Sequence, residues 1–472
     1  MVKAARILFL VALVCLLGLP AAADVIVLKS GRRIQAWNVR ERGERYFYET
    51  PNGEISIRKD LVERVERDDA RPEWGRPSVA LEGLPTADLP ALNDADVLRV
   101  VEGGKVDRTL LTQLEAEATG GAEPARLRAA AAHALVGRLH FELGRAGEAA
   151  DSLRRALRFA PNHPVLLLNL AVVEMERQRF AAAQDALRPV LSQKDYGFEA
   201  YRLQGYIYYL TEEMDRAQGA WKQALAVRDD AQLRAQLAEL EREAKAAKDF
   251  QQRASGRFLL RYAGEEVASE RLATAILRAL DSMYDQLAGT FNLSPREPIV
   301  VLLYPDETFY ELTGMPPEVH GLYDGKIRVP IRGLVSLTPA LEQVLRHELV
   351  HAFVFLKSRN RAGHWLQEGL AQVHAGQRPP IAPSAFRPLF EPRDGSALPR
   401  IEAAFRGDAG QIMAAYAASW VVVDALLRRY GRGDMERLLE ALARGESTEQ
   451  ALRSAYRLTL VDLDRLLYDS LR

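Results

Sequence analysis

A 34-residue period in the middle of the chain constrains its fold more than any other feature. Small or apolar residues recur at this spacing in three series, which are Gly137, Ala171 and Gly205, then Ala149, Ala183 and Ala217, then Leu153, Leu187 and Trp221. A repeat of this length predicts pairs of helices, with small residues where the two helices of a pair approach each other. One pair cannot bury its apolar face alone, so we expect the units to stack.

This period, with Pro161 at the end of the first unit, resembles three tetratricopeptide repeats. The resemblance implies an α-helical solenoid at residues 106–250. We expect a charged helix from Asp230 to about Phe250 to cap one end, and a helix within Val106 to Ala118 to cap the other. Such stacks form concave surfaces that bind peptides and proteins, so a protein partner is expected on the repeats. The alternative is a spacer that holds the rest of the chain at a distance.

The segment His347-Glu348-Leu349-Val350-His351 carries the clearest chemistry. Apolar residues at helical spacing surround it, and Thr338-Pro339 offers an N-cap followed by a proline at the first helical position. We therefore predict a helix from Pro339 to about Leu356. Histidines four residues apart lie on one face of a helix, where both can reach one zinc ion. Glu348 would then lie beside a water on that metal.

A catalytic zinc ion needs three protein ligands and one open position, so a third ligand is expected nearby. The polar segment from Lys357 to Gly363 predicts a turn that folds a second helix back on the first. That second helix contains Trp365-Leu366-Gln367-Glu368-Gly369-Leu370-Ala371. Glu368 is the best candidate for the third ligand.

Together the two motifs resemble the gluzincin branch of the zincin metallopeptidases. The resemblance is strongest to small peptidase MA-like domains, which are often found beside tetratricopeptide repeats in exported bacterial proteins. It implies a C-terminal α+β zincin-like domain at residues 256–472, with one zinc ion bound by His347, His351 and Glu368. It also implies hydrolysis of peptide bonds by a zinc-activated water, with Glu348 as the general base.

Amide hydrolysis also needs a hydrogen-bond donor for the negative charge that develops on the carbonyl oxygen. Related peptidases commonly use a tyrosine or histidine downstream of the third ligand, and Tyr416 is our candidate; the alternative is a tyrosine packed in the core. His364 and His374 are rival donors, although both are more typical of surface or helix-end histidines. Gln372, one turn after Glu368, is a weaker hypothesis for a residue that orients a metal-binding histidine.

The segment from Gly321 to Pro330 predicts a hairpin that turns at Asp324-Gly325. Pro330 cannot donate to a strand ladder, so we expect its strand at the edge of the sheet. An edge strand ahead of the zinc helix could pair with an extended peptide substrate; the alternative is an ordinary edge strand.

The N-terminus predicts export. Lys3 and Arg6 precede an apolar run from Ile7 to Leu19, and Ala21-Ala22-Ala23 offers a cleavage site, as in secretory signal peptides. We expect cleavage near Ala23 and a location in the periplasm or cell envelope of a bacterium. The run is too short to span a bilayer, and no transmembrane segment is expected in the mature chain. Cys15 is the only cysteine, so the mature chain would bind zinc through nitrogen and oxygen alone.

Composition adds a constraint on partners and on domain number. The chain has 63 basic and 64 acidic residues, and removal of residues 1–23 leaves 61 and 64, which argues against nucleic acid as the main partner. A length of 472 residues is large for one core. Alternation and turn residues predict a small all-β sheet or barrel at 24–68, and a proline- and glycine-rich linker follows at 69–105.

Two functions from different classes are consistent with these features. The first is an exported zinc metallopeptidase whose repeats recruit substrates or partners. The second is a non-catalytic envelope scaffold, in which the repeats and the β domain bind partners and the zinc site is vestigial or structural. An intact Glu348 favours the enzyme, because a structural zinc site has no use for a base at that position.

Overall fold

The computed structural model describes residues 24–28, 33–42, 45–50, 53–59, 62–66, 94–193, 195–264, 267–313, 320–331, 333–379, 381–391, 396–407 and 409–470. The described part is mostly helical, and its contacts divide the chain into two units. One unit comprises residues 77–248 and 443–445, and the other comprises 1–76, 249–442 and 446–472. The predicted signal peptide and most of the predicted linker lie outside the described residues.

The N-terminal strands form one five-stranded antiparallel sheet. They are β1 (Asp24–Leu28), β2 (Arg33–Arg42), β3 (Arg45–Thr50), β4 (Gly53–Arg58) and β5 (Val62–Glu66). Their order is β4-β3-β2-β1-β5, so each of the first three strands pairs with the next in sequence. Strand β5, in which charged residues outnumber apolar ones, pairs with β1.

The unit that contains the repeats is a run of helices. These are α1 (Ala95–Arg99), α2 (Arg108–Ala118), α3 (Glu123–Glu142), α4 (Ala146–Phe159), α5 (Pro164–Glu176), α6 (Phe180–Leu187), α7 (Gly197–Leu210), α8 (Met214–Val227) and α9 (Ala231–Ala246). Helices α3, α5 and α7 pack on α4, α6 and α8 respectively. Helix α1 and the two-residue strand β6 (Val101–Glu102) lie within the range predicted as a linker, and strand β7 (Lys105–Val106) begins at its last residue.

The 34-residue spacing marks the places where paired helices touch. A Cβ at Gly137 of α3 would lie 3.1 Å from Cγ of Leu153 on α4, and one at Gly205 of α7 would lie 2.3 Å from Cδ1 of Trp221 on α8. Ala171 of α5 and Leu187 of α6, which occupy the same positions of the repeat, are fully buried. Small residues thus allow the partner helix to approach in each pair.

A second five-stranded sheet begins the C-terminal part of the other unit. Its strands are β8 (Gln251–Ala254), β9 (Phe258–Tyr262), β10 (Ile299–Tyr304), β11 (Leu322–Tyr323) and β12 (Ile327–Pro330), in the order β11-β12-β10-β9-β8. Strand β10 is parallel to both neighbours and fully buried, as its continuous apolar sequence requires. The other two pairings are antiparallel.

The expectation that Pro330 marks an edge strand is wrong. Strand β12 lies between β10 and β11, and the two-residue β11 is the described edge strand on that side of the sheet. Strand β11 pairs only with Ile327 and Arg328, so it ends before it reaches Pro330. The missing N–H of Pro330 therefore breaks no bond of the β11–β12 ladder, and the proline is tolerated inside the sheet.

The remaining elements of this unit are helical. They are α10 (Val267–Phe291), α11 (Asp306–Thr313), α12 (Pro339–Ser358), α13 (His364–His374), α14 (Pro383–Phe386), a 3₁₀ turn (Arg387–Leu389), α15 (Ala397–Ala404), α16 (Ala409–Tyr430), α17 (Arg432–Ala443), α18 (Thr448–Tyr456) and α19 (Leu460–Ser470). A buried core joins strands β9, β10 and β12 to helices α10, α12, α13 and α16. The sheet-then-helices order matches the α+β prediction for this region.

One helix in the described part of the chain is long and apolar enough to cross a membrane. It is Gly410–Tyr430 within α16, and half of its apolar window is buried in the fold, where α16 packs against α13 and α15. Burial of this kind also occurs in core helices of proteins without membrane spans. The expected absence of a transmembrane segment stays a prediction.

Candidate metal centre

Helix α12 begins and ends where its sequence predicts. The hydroxyl of Thr338 accepts a hydrogen bond from the backbone N–H of Leu341 at 3.2 Å, and Pro339 occupies the first helical position. The helix ends at Ser358, after which Arg359 adopts a left-handed conformation with φ of 53°. Leu345 and Leu349 on this helix are fully buried in the core. The packed face fixes the rotation of α12 and so the direction of its histidines.

The structure brings the three predicted ligands together. The Nε2 atoms of His347 and His351 lie 3.1 Å apart. Glu368 on α13 reaches both histidines, with Oε2 3.4 Å from Nε2 of His347 and Oε1 3.6 Å from Nε2 of His351. All three side chains offer a ligand atom within 4.8 Å of the others. The turn between α12 and α13 therefore folds the second helix back as predicted.

The surroundings of the imidazoles leave their Nε2 atoms available as ligands. Nδ1 of His347 lies 2.8 Å from Oε1 of Gln377, and Nδ1 of His351 lies 3.4 Å from Oε1 of Gln367. A ring nitrogen that faces an amide oxygen carries the proton, so the other nitrogen of a neutral ring presents a lone pair. Two lone pairs and a carboxylate therefore face one point.

This donor set fits a zinc ion. Zinc bonds of about 2.0–2.2 Å to nitrogen and oxygen imply roughly 3.3–3.6 Å between neighbouring ligand atoms of a tetrahedron, which is close to the observed separations. Oε2 of Glu368 is buried and has no well-aligned hydrogen bond within the described residues. A buried carboxylate oxygen without such a bond is unfavourable unless a cation neutralises it. His347, His351 and Glu368 are thus the residues that could hold a metal.

The ionisation of the three side chains reflects their crowding. Burial lowers the pKa of His351 to about 4. Burial opposes the charged form of His347 too, but the nearby carboxylates of Glu368 and Glu348 raise its pKa overall. The pKa of Glu368 is lowered, because the two histidines outweigh the effect of burial. Glu368 is therefore a carboxylate at neutral pH, as a ligand must be.

Glu348 is a buried carboxyl beside the candidate ligands. It follows the first ligand on α12, and only 6% of its surface is exposed. Burial raises its pKa to about 7, with the charge of His347 opposing this shift and that of Glu368 adding to it. A carboxyl with a pKa near neutrality can both accept and return a proton.

Tyr416 lies on α16 with its ring edge against Phe405, at 5.2 Å between ring centroids. Burial, followed by the charges of Glu368 and Glu348, raises its pKa well above 10. The hydroxyl therefore stays protonated and can donate a hydrogen bond. The charges of Glu368 and Glu348 both act on this hydroxyl, and the donor role of Tyr416 stays a prediction.

The rival histidines have different surroundings. Nδ1 of His364 lies 3.0 Å from Oε2 of Glu402, which raises the pKa of His364, and the charge of Glu368 adds to this effect. His374 packs its ring edge against Phe291 at 5.4 Å. Of the two, only His364 is influenced by a metal-ligand candidate.

The hypothesis that Gln372 orients a histidine is wrong. Its side chain is fully buried, and Nε2 donates to the carbonyl oxygens of Glu368 and Tyr416, both at 3.1 Å. Gln372 therefore links α13 to α16 below the site. The residues that contact the histidines are Gln367 and Gln377, which the sequence reasoning missed. Gln367 directly precedes Glu368 and could have been found from that position, whereas Gln377 follows the end of the helix and has no sequence signal.

The family model described as Tetratricopeptide repeat matches residues 140–205. The match covers part of the predicted solenoid, including α4 to α6 and most of α7, and it supports interaction with other proteins. Comparison with curated proteins gives no match for the chain.

Proposed function

We propose that this chain is an exported zinc metallopeptidase of the gluzincin type. The observation that carries the proposal is the convergence of two imidazole Nε2 atoms and the Glu368 carboxylate, with a separate buried carboxylate one residue after the first histidine. His347, His351 and Glu368 would hold one zinc ion. When bound, zinc supplies Lewis acidity toward a peptide carbonyl and lowers the pKa of a water molecule.

The protein side chains divide the remaining tasks. Glu348 accepts the proton of the attacking water and returns it to the leaving amine, for which a pKa of about 7 is well matched. Tyr416 donates a hydrogen bond to the carbonyl oxygen as its negative charge grows. Gln377 and Gln367 hold the two imidazoles in the tautomer that keeps Nε2 free.

The repeats would bind a protein partner or the substrate. Tetratricopeptide repeats present concave surfaces to peptides and proteins, so we propose that they recruit the proteins on which the metal centre acts. The alternative function is a scaffold with a vestigial or structural zinc site. Glu348 distinguishes the two, because a structural site is closed by four protein ligands and makes no use of a buried base.

The test uses the chain from residue 24 onward as wild type and as three variants. We expect the wild type to bind one zinc ion per chain and to cleave peptides from a denatured-protein library. Glu348→Gln should bind zinc and cleave at least about 10²-fold more slowly, because it lacks the base. Glu368→Ala should bind zinc at least about tenfold more weakly. Glu342→Gln, on the exposed side of the same helix, is the matched control and should behave as wild type.

Each part of the proposal has an outcome that would contradict it. Zinc binding without cleavage of any peptide in the library would favour the scaffold. Unchanged zinc affinity in Glu368→Ala would remove Glu368 as a ligand. The export part of the proposal is tested separately, by fractionation of cells that produce the full-length chain: recovery of an uncleaved chain from the cytoplasm would contradict it.

A further inference from the structure

The backbone at Gly321 lies directly against the side chain of Glu348. A Cβ at position 321 would be 2.6 Å from Oε1, 2.8 Å from Cγ and 2.9 Å from Cδ of Glu348. Contacts this short are not tolerated between nonbonded heavy atoms, so the carboxylate occupies space that exists only because residue 321 has no side chain.

The conformation of the backbone does not itself require glycine at this position. Gly325, in the turn of the same hairpin, has a φ of 103°, which disfavours residues with a side chain, but Gly321 has no such positive φ. The three nearest atoms that a Cβ at 321 would meet all belong to Glu348. The three closest contacts of a small side chain at 321 would therefore all be with the proposed base.

The residues that follow Gly321 are packed against α12. It directly precedes β11, and Tyr323 of β11 packs edge-on against Phe355 of α12 at 5.7 Å between ring centroids. Residues two apart on a strand point to the same side, and Glu348 and Phe355, seven apart, lie on the same face of the helix. The segment 321–323 thus contacts one face of α12 at two points, the base and a ring two turns later.

The hairpin that carries this segment is anchored to the sheet. The guanidinium of Arg328 on β12 is buried, and it donates to Oδ2 of Asp324 at 2.9 Å and to the hydroxyl of Tyr304 on β10 at 2.8 Å. Strand β12 also pairs with β10 along its whole length. These contacts anchor the hairpin that follows Gly321, so we expect an added side chain to displace the carboxylate more readily than the hairpin.

We propose that Gly321 is a positioning residue for Glu348: its backbone forms one wall of the space that holds the carboxylate, and any side chain there displaces the base. The inference rests on the proposed role of Glu348. It predicts that Gly321→Ala leaves the metal ligands in place and affects only the carboxylate beside them.

The first measurement compares Gly321→Ala with Gly289→Ala, a control in α10 where a Cβ meets no atom within 4 Å. For Gly321→Ala we expect zinc affinity within about twofold of wild type, kcat lowered about 10- to 100-fold and KM little changed, because a displacement near 1 Å impairs proton transfer. Gly289→Ala should retain wild-type kcat. A crystal structure of Gly321→Ala should show the Glu348 carboxylate displaced from its present position.

The second measurement is a double-mutant cycle in thermal stability, which does not depend on cleavage. In the wild-type background, Gly321→Ala should lower Tm by about 2–4 °C, because the carboxylate must move within a packed site. In the Glu348→Ala background the conflicting atoms are gone, so the same change should not lower Tm. This coupling separates the two proposals: it is expected even if no peptide is cleaved.

The positioning role is overturned by any of three results. These are a Glu348 carboxylate that stays in place in Gly321→Ala, an equal loss of Tm in both backgrounds, and a loss of zinc binding or of folding in Gly321→Ala. The last would show a general structural role for the glycine. Absence of cleavage in the wild type, with the coupling intact, would instead overturn the peptidase proposal alone.

Discussion

The Nδ1 atom of His347 lies 2.8 Å from Oε1 of Gln377, a residue just beyond the end of the helix that carries Glu368. The cap of α13 places it there. Gly376 has a φ of 67°, and the backbone N–H of Gln377 donates to the carbonyl oxygen of Gln372 at 2.9 Å, as in a Schellman motif. The side chain of Gln343, one turn before His347, donates to the carbonyl oxygen of Ala375 in the same cap. Helix α13 and its cap thus contribute both the ligand candidate Glu368 and the side chain of Gln377, which contacts the ligand candidate His347.

We predict that Gln377→Ala weakens zinc binding about 10- to 100-fold, because an imidazole without its Nδ1 partner loses its preferred tautomer and orientation. Zinc affinity is measured by competition with a chelator, and Tm is measured alongside. Gln252→Ala, at an exposed position of β8, is the control and should bind zinc as wild type. Equal affinities for Gln377→Ala and the control would show that the contact does not orient the ligand.

A second prediction concerns Glu402, whose carboxylate caps the first turn of α13. Oε1 accepts from the backbone N–H of Trp365 at 3.0 Å, and Oε2 pairs with Nδ1 of His364. Glu402→Ala removes this cap, so we expect a loss of about 1–2 kcal/mol in stability and weaker zinc binding through Glu368, one turn later. Glu402→Gln keeps an acceptor for Trp365 and should lose less. Equal effects of the two changes on denaturant unfolding would rule out a capping role.

A third prediction follows from His374. Burial, assisted by Arg432 and Arg346, lowers its pKa to about 4, and Glu436 lines the same small cavity. The folded state therefore keeps this ring neutral while the unfolded chain protonates near pH 6.5. The resulting stability is present above pH 6.5 and is lost as pH falls toward 4, by up to about 3 kcal/mol.

The measurement is thermal unfolding of wild type and His374→Gln at pH 7.5 and 5.0, with EDTA present so that metal release does not contribute. The wild type should lose more stability between the two pH values than the variant. Equal losses would mean that His374 is protonated without cost in the folded protein.

The sequence predicted those parts of the site that depend on local geometry. His347 and His351 share a helix face because four residues make about one turn, and the N-cap Thr338 and the turn at Gly363 bound two helices that face each other. The direction in which a side chain points in the folded protein was not predictable in this way. Gln372 is one turn after Glu368 but faces α16. The rotation of α13 about its axis is set by packing against other elements, which cannot be read from the periodicity of the sequence.

The fold shows the same limit at Pro330. A proline indicates that one side of a strand lacks a ladder bond, but it does not reveal that β11 is too short to reach it. Likewise, Gly321 and Glu348 are distant in sequence, and their contact depends on how the hairpin docks on α12. Partners brought together by docking need the three-dimensional structure.

The last prediction tests why small residues recur in the repeats. A Cβ at Gly205 would lie 2.3 Å from Cδ1 and 2.5 Å from Nε1 of Trp221. The indole cannot easily retreat, because its N–H donates to the carbonyl oxygen of Arg202 at 3.1 Å and its ring stacks on Tyr209 at 6.1 Å. Gly205→Ala should therefore destabilise the repeats by about 1–3 kcal/mol, although alanine favours helices over glycine by up to about 1 kcal/mol.

Gly219→Ala is the matched control, since Gly219 lies on α8 of the same pair and a Cβ there meets no atom within 4 Å. We expect this variant to be as stable as the wild type or slightly more stable, as measured by circular dichroism during heating. Zinc content should be the same in both variants, because all the ligand candidates belong to the other unit. If Gly205→Ala melts at or above the temperature of Gly219→Ala, close packing does not explain the glycine of this repeat.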